Sequence, residues 1–582
     1  MVFKAPAWVG PAPSIPDDIP ISEFMLNERY GRHPLGYSRD PFVCGLSGRS
    51  YSALELADRV DALARALSKE FGWQPNQGSE WDKVACIYSV NTIDYLTVCW
   101  AIHSCAGIAS PANAVYSAAE LTHQLKDSGS KALFTSIPSL PIALEAAANA
   151  GLPKNRIYLL DLPVQFPGAD KQPAGFKMVN DLIKQGFLLP KLEKVAWAPG
   201  QGAKTTAFLC YSSGTSGLPK GVMIAHTNVI ANTLQIKEYD GPYRASLKPP
   251  GTQSDYTEVI LGLLPQSHIY ALVVICHSGT FRGDQVVVLP KFDFAQYLSA
   301  IGRFKISTLY LVPPIIIAMI RNKEVCGKHD LSSVRGIFTG AAPLGAETAE
   351  ELEKWQPTWK VRQGYGLTET CTVVSSTSPS DIFLGSSGSL LPGFEARIMS
   401  PDGVELTGYD EPGELVVRSP SVAIGYLKNE KATKETFEDG WMRTGDEAVF
   451  RRAPSGNEHL FILDRIKELI KVKGHQVAPA ELEAHLLTHP AVADCSVIQV
   501  PDEAAGELPK AFVVKSPSAG PDDAATIQSI HKHVQEHKAR HKWLKGGIEF
   551  IDVIPKSPSG KILRRMLRDR EKEARRKAGT KL

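Results

Sequence analysis

Residues 211–221 read Tyr-Ser-Ser-Gly-Thr-Ser-Gly-Leu-Pro-Lys-Gly, and no other stretch restricts the fold as tightly. Hydroxyl residues and glycines in a dense run ending on Lys220 offer backbone N–H groups and side-chain donors that can wrap a phosphate chain. A surface linker is the plain alternative. Linkers rarely carry such a lysine, however, and the apolar run Ala207 to Cys210 ahead of it reads as a strand. Pro219 stands where a Walker loop needs glycine before its lysine, so the run predicts triphosphate binding in a different fold.

The surrounding pattern supplies that fold. Val84 to Tyr88 reads as a buried strand, Asn91 as the cap of a helix through Ser104 that Gly107 closes, and Ile108 to Ser110 as the next strand, which together make a βαβ unit. Ser117 followed by Glu120 is a capping box for a helix through Lys126, leading into a strand at Ala132 to Thr135. This alternation predicts parallel α/β layers. From about Phe394 to Phe450 short strands and Gly/Pro turns predict a small barrel or meander, and after Phe461 mixed helices and strands predict a separate α+β unit. At 582 residues the chain has room for several domains. With 64 Lys+Arg against 62 Asp+Glu, nothing in the charge balance demands a nucleic-acid partner. The longest apolar stretch, Leu309 to Ile320, is too short to span a bilayer and contains Pro313 and Pro314. Nine scattered cysteines without a Cys-x-x-Cys pair predict a reducing, intracellular setting.

Seven further motifs follow the loop in order: Leu264-Pro265-Gln266-Ser267-His268-Ile269-Tyr270, Gly340-Ala341-Ala342-Pro343, Gln363-Gly364-Tyr365-Gly366-Leu367-Thr368-Glu369, Trp441-Met442-Arg443-Thr444-Gly445-Asp446, Asp464-Arg465-Ile466-Lys467, Lys473-Gly474-His475-Gln476-Val477, and Pro555-Lys556-Ser557-Pro558-Ser559-Gly560-Lys561. On these residues the chain resembles the acyl-adenylate-forming superfamily over nearly its whole length, and within it the 4-coumarate:CoA ligases and their fungal and peroxisomal relatives. The resemblance implies a large N-terminal domain (1–463) of layered α/β subdomains plus a small β-barrel, a hinge at 464–467, and a small mobile α+β C-terminal domain (468–582).

It also implies an ATP-dependent acid:CoA ligase with ATP, Mg²⁺ and coenzyme A as cofactor and co-substrates. Ser212, Ser213, Gly214, Thr215, Ser216 and Lys220 would hold the phosphates. Thr368 would touch the α-phosphate and Glu369 would bind the metal, a hard cation that prefers carboxylate oxygen. Ala341, Gln363, Gly364 and Tyr365 would receive adenine, and Asp446 and Arg465 the ribose. Lys561 would be the catalytic lysine, carried on a lid that turns about Lys467. Lys471 and Gln476 would contact nucleotide, and Lys291, Lys473 and Gly474 would meet CoA. The acyl pocket implied comprises His268, Tyr270, Val274, Leu311, Thr339, Gly340, Thr372 and Val373. Where coumarate ligases carry Gly-Pro-Val this chain has Cys371-Thr372-Val373, which points away from coumarate toward another aryl or a medium-chain acid.

Other readings stay open at this stage: a stand-alone adenylation enzyme that loads a separate carrier protein, an oxygenase of the luciferase type, and a non-catalytic nucleotide-binding regulator. His533, His537 and His541 recur at i, i+4, i+8, a spacing that suits metal ligands. With Lys532, Lys538, Arg540 and Lys542 interleaved, the reading preferred is a solvated helix. Thr580-Lys581-Leu582 resembles the peroxisomal Ser-Lys-Leu address, which implies the peroxisomal import receptor as a partner and otherwise a cytoplasmic protein.

Overall fold

The computed structural model describes residues 1–169, 173–212, 219–252, 254–557 and 560–579. The phosphate-loop residues Ser213, Gly214, Thr215 and Ser216 and the terminal Thr580, Lys581 and Leu582 therefore lie outside the described residues.

Among the described residues, four sheets carry the architecture. The first is built on the expected βαβ pattern: Val84–Tyr88 lies between Ile108–Ala112 and Ala132–Ser136, all parallel. Thr206–Ser212 extends that sheet beside Ile108–Ala112, and Lys220–Ala225 returns antiparallel to it, so the two strands bracket the phosphate loop. The second sheet centres on the parallel strands Val259–Gly262, Thr308–Leu311, Gly336–Thr339 and Lys360–Leu367. The first three of these strands are largely apolar and buried on both faces, as parallel sheets between helical layers require, whereas Lys360–Leu367 is polar and only partly buried where it borders the site. One continuous hydrophobic core joins both large sheets.

Local signals behave unevenly. The Ser117–Glu120 capping box forms as expected, with the Ser117 amide donating to the Glu120 carboxylate at 2.8 Å and the Glu120 amide donating to Ser117 Oγ at 3.3 Å. Asn91, expected to cap a helix, does something else. The helix starts later, at Tyr95, and the buried Asn91 amide donates to the carbonyls of Leu263, Leu264 and Leu289 and accepts from Gln266 N–H. It thereby ties the first sheet to the strand ends of the second. The turn after the helix is made by Ala106 in the left-handed region. Gly107 is needed for clearance, because a Cβ there would come within 2.5 Å of the Lys83 carbonyl.

The antiparallel region from Glu395 to Arg465 is an open sheet, the meander of the two forms its turns allowed and not the small β-barrel implied by the resemblance. Its last strand, Glu458–Arg465, exchanges hydrogen bonds with Ser387 and Gly388 of the neighbouring sheet (Ser387 N–H to Leu460 O and Leu460 N–H to Gly388 O, both 2.8 Å), so its free edge is satisfied there.

The C-terminal unit has its own sheet, in which Val492–Asp502 and Gly506–Lys515 form the long central hairpin, and its own cores, distinct from the main one. Arg321, at the end of helix Pro313–Arg321, donates to the carbonyls of Val492 (2.8 Å) and Ala493 and holds this unit against the large one.

Candidate active site

The edges of three sheets and the turn ahead of the last helix converge on a cleft of about 640 Å³. From the first sheet come Ser212 and Lys220, at the two ends of the phosphate loop. From the second come Phe338, Gly340 and Ala341, then Gly364 through Glu369. From the open antiparallel sheet come Asp446 and Arg465, and from the C-terminal unit Lys561.

The second sheet can present a nearly unbroken wall because its geometry is irregular at this point. The ladder between Lys360–Leu367 and Thr372–Ser376 shifts register between Tyr365 and Gly366, so neighbouring residues reach the same side. Gly366 is required by contact: a Cβ there would stand 1.4 Å from the Thr372 carbonyl oxygen. Cys371 and Thr372 both adopt positive φ (53° and 105°), and Ala341 does so as well (68°). Such backbone is costly for residues with a Cβ and concentrates where a site must aim groups. Thr372 is held in place by a 3.1 Å hydrogen bond to the Ile269 carbonyl.

Charge is arranged in opposition across the cleft. Asp446 is buried; one carboxylate oxygen accepts from the Tyr365 hydroxyl at 2.6 Å, and the other faces Arg465 Nε at 3.6 Å. Burial raises its pKa, and Arg465, Tyr365 and Lys561 oppose that rise. Glu369 accepts from Ser212 Oγ (3.3 Å) and from the Tyr426 hydroxyl (3.0 Å), and the Lys220 ammonium lies 5.0 Å over the Tyr426 ring. Lys561 enters from the lid. Desolvation and the nearby Arg465 lower its pKa from 10.5 to about 8 against the pull of Asp446, Glu468 and Glu369. Burial and the Lys561 charge push the His268 ring down to about 4, so it is neutral at pH 7. Its Nδ1 accepts from the Tyr270 amide at 3.3 Å.

Of the residues expected from sequence, the cleft gathers Ser212, Lys220, His268, Tyr270, Gly340, Ala341, Gly364, Tyr365, Thr368, Glu369, Thr372, Val373, Asp446, Arg465, Lys467 and Lys561. Others stand elsewhere. The Gln363 amide is used inside the fold, accepting from Leu344 N–H at 2.7 Å and donating to the Ser386 carbonyl at 3.2 Å. Thr339 falls on the opposite face of its strand from Phe338 and Gly340, as the two-residue period demands. Val274 lines a small void behind the wall, beside Tyr239 and Arg362, and Leu311 is wholly buried in the main core.

Lys471, Lys473, Gly474 and Gln476 are exposed on the hairpin formed by Ile470–Val472 and His475–Val477, away from the cleft in this pose. Lys291 is exposed, its ammonium 5.6 Å over the Phe166 ring. Two contributors escaped the sequence reading. Phe338 forms part of the pocket wall, and only its position two residues before Gly340 on an alternating strand could have signalled it. Tyr426, which braces Glu369, sits in a short Gly-Tyr pair with no local signal.

Residues 32–427 match the AMP-binding enzyme family and residues 481–561 the AMP-binding enzyme C-terminal domain. An acyl-CoA ligase of Emericella nidulans is 42% identical, aligned over 98% of this chain and 100% of that protein. An acyl-CoA ligase of Alternaria alternata is likewise 42% identical over 98% of this chain and 97% of its own length. Among solved structures, ATP-bound MatB from Rhodopseudomonas palustris superposes with TM-score 0.75 at 25% identity, covering 96% of this chain and 99% of that one. An anthranilate CoA ligase in complex with anthranoyl-AMP shares the fold with TM-score 0.79 at 24% identity, covering 95% and 98%.

Proposed function

We propose a mechanism for a chain whose family is settled: it belongs to the AMP-binding enzyme family and is an AMP-forming acid:CoA ligase. In the first half-reaction a carboxylate oxygen attacks the α-phosphorus of ATP, forming acyl-AMP and expelling pyrophosphate. In the second, the CoA sulfur attacks the acyl carbonyl, forming the thioester and releasing AMP. ATP and CoA are its co-substrates.

The observation that carries the mechanism is the presence of the lid's Lys561 in the cleft, facing Asp446 and Glu369 and close to His268. Bringing a carboxylate to a polyphosphate sets like charges together, and a desolvated ammonium placed between them offsets the repulsion where it is greatest. Thr368 stands in the same wall to donate to the α-phosphate. Tyr365 offers its ring to adenine while its hydroxyl fixes one Asp446 oxygen, leaving the other oxygen and Arg465 for the ribose. Ser212 and Lys220 hold the ends of the phosphate loop. The donors around Glu369 are all oxygens (Ser212, Thr368, Tyr426), a set that fits Mg²⁺, which when bound would offset charge on the leaving pyrophosphate.

For the second half-reaction we assign Lys471, Lys473, Gly474 and Gln476 to an alternative lid pose reached by rotation about the exposed Lys467. Separate cores on either side of residues 464–467 support that division. Lys291, on the outer surface, is assigned to the CoA phosphates. The pocket wall of Tyr270, Phe338, Leu367 and Val373 with Gly340 and Gly364 supports an aryl or medium-chain acid over acetate. A panel of aromatic and C6–C12 acids tests this through ATP-dependent CoA thioester formation: turnover confined to acetate-sized acids would defeat the substrate assignment. The terminal Thr580-Lys581-Leu582 supports peroxisomal import, and a tagged full-length chain that stays cytosolic would defeat it.

A further inference from the structure

The C-terminal unit gathers a set of side chains for which the ligase reaction has no use. His485 stands in the last turn of helix Pro479–Leu486, and His533 and His537 stand one turn apart on helix Asp523–His537, which packs beside it. The His485 and His533 rings stack with centroids 4.2 Å apart and planes 5° from parallel, and the His537 ring lies 5.3 Å from each. One ring nitrogen from each of the three falls within 4.8 Å of the other two. His485 is buried at 9% exposure, His533 is partly buried and His537 is exposed, so the cluster opens to water on one side.

The hydrogen bonds around the rings have the form that prepares imidazole to bind metal. Among the described residues, each ring is bonded through a single nitrogen. His485 Nε2 meets the His533 carbonyl at 3.2 Å, and His537 Nδ1 meets the same carbonyl at 2.9 Å. His533 Nε2 meets Thr488 Oγ1 at 2.9 Å and the His485 carbonyl at 3.3 Å. A carbonyl can only accept, so it fixes the proton on the nitrogen facing it and leaves the other nitrogen with its lone pair. That is how second-shell carbonyls orient metal-bound histidines. The neighbouring cations are compensated: Glu481 pairs with Lys538 (3.1 Å) and Lys542 (2.6 Å), and Lys532 with Glu536 (3.7 Å).

We propose that His485, His533 and His537 form a binding site for a zinc-class divalent cation, with water completing its coordination. Three imidazoles and an open position suit Zn²⁺ and its nitrogen-preferring neighbours rather than Mg²⁺ or Ca²⁺. The parallel His485 and His533 planes cannot both contain one ion, so binding requires one of these rings to turn out of the stack, which brings the nitrogens to the roughly 3.3 Å separation that tetrahedral ligands about 2.0–2.1 Å from zinc impose. The site differs from the one the spacing of His533, His537 and His541 suggests. The helix ends at His537 because Lys538 is extended, and His541 stacks on His475 at 4.6 Å instead. Its third member comes from the preceding helix.

The test uses the full-length, tag-free enzyme, stripped with a chelator and titrated with Zn²⁺ by calorimetry and with Co²⁺ by visible absorption. Wild type and His541→Ala should each bind one equivalent and give the visible bands of four-coordinate Co²⁺. His485→Ala and His537→Gln should lose at least about tenfold in affinity. His537 is exposed, so its replacement leaves the core intact. No zinc uptake by wild type, affinity unchanged by His537→Gln, or equal losses in His541→Ala and His537→Gln would each overturn the site.

Discussion

Burial sets the Lys561 ammonium against its surroundings. The same desolvation that strengthens its action on a phosphate lowers its pKa to about 8. The protonated form is the one the adenylation step uses, so the sign is unambiguous: activity is full below that value and falls as pH rises through it. The kcat/KM for ATP, which reports the free enzyme, should fall about tenfold per pH unit above about pH 8. In kcat the same limb should lie at higher pH, since bound polyphosphate favours the charged lysine. A kcat/KM profile flat from pH 7 to 10 would contradict this role. At this scale the sequence located residues that sit inside a dense motif: Lys561, Glu369 and Asp446 all line the cleft. It failed for Gln363, also inside a motif, because nothing local tells a pocket-facing amide from one spent on Leu344 and Ser386.

At the level of elements, Arg321 docks the C-terminal unit, or lid, through two backbone carbonyls that no side-chain substitution in the lid can remove. Arg321→Ala removes both donors. At about 0.5–1.5 kcal/mol net per hydrogen bond, losing both amounts to about 1–3 kcal/mol, and adenylation should slow by roughly fivefold to about a hundredfold. Thioester formation from supplied acyl-AMP should be unaffected, and equal slowing of both steps would show that Arg321 serves stability rather than this pose. Elements with local determinants were legible, among them strand Val84–Tyr88 and the Ser117–Glu120 box. Asn91 was misread because its polar side chain is consumed by a tertiary bridge 172 to 198 residues away. Val274, Leu311 and Thr339 were placed in the pocket, and Phe338 missed, because segments buried on both sides carry no hydrophobic alternation to say which face meets the cleft.

For the whole molecule, the decisive arrangement is a cleft built by the large unit and Lys561 brought to it by a unit with its own core. Fold class and reaction class could be read from motif order. The turn pattern left barrel and meander both open for the antiparallel region, because edge pairing of Glu458–Arg465 with Ser387 and Gly388 is decided between sheets. The arrangement predicts that the two half-reactions separate genetically. With an acid that supports turnover, Lys561→Ala should reduce ATP–pyrophosphate exchange by at least about a hundredfold. The same variant should still convert supplied acyl-AMP and CoA to thioester at near wild-type rate. Exchange that survives the substitution, or equal loss of both activities, would contradict the account.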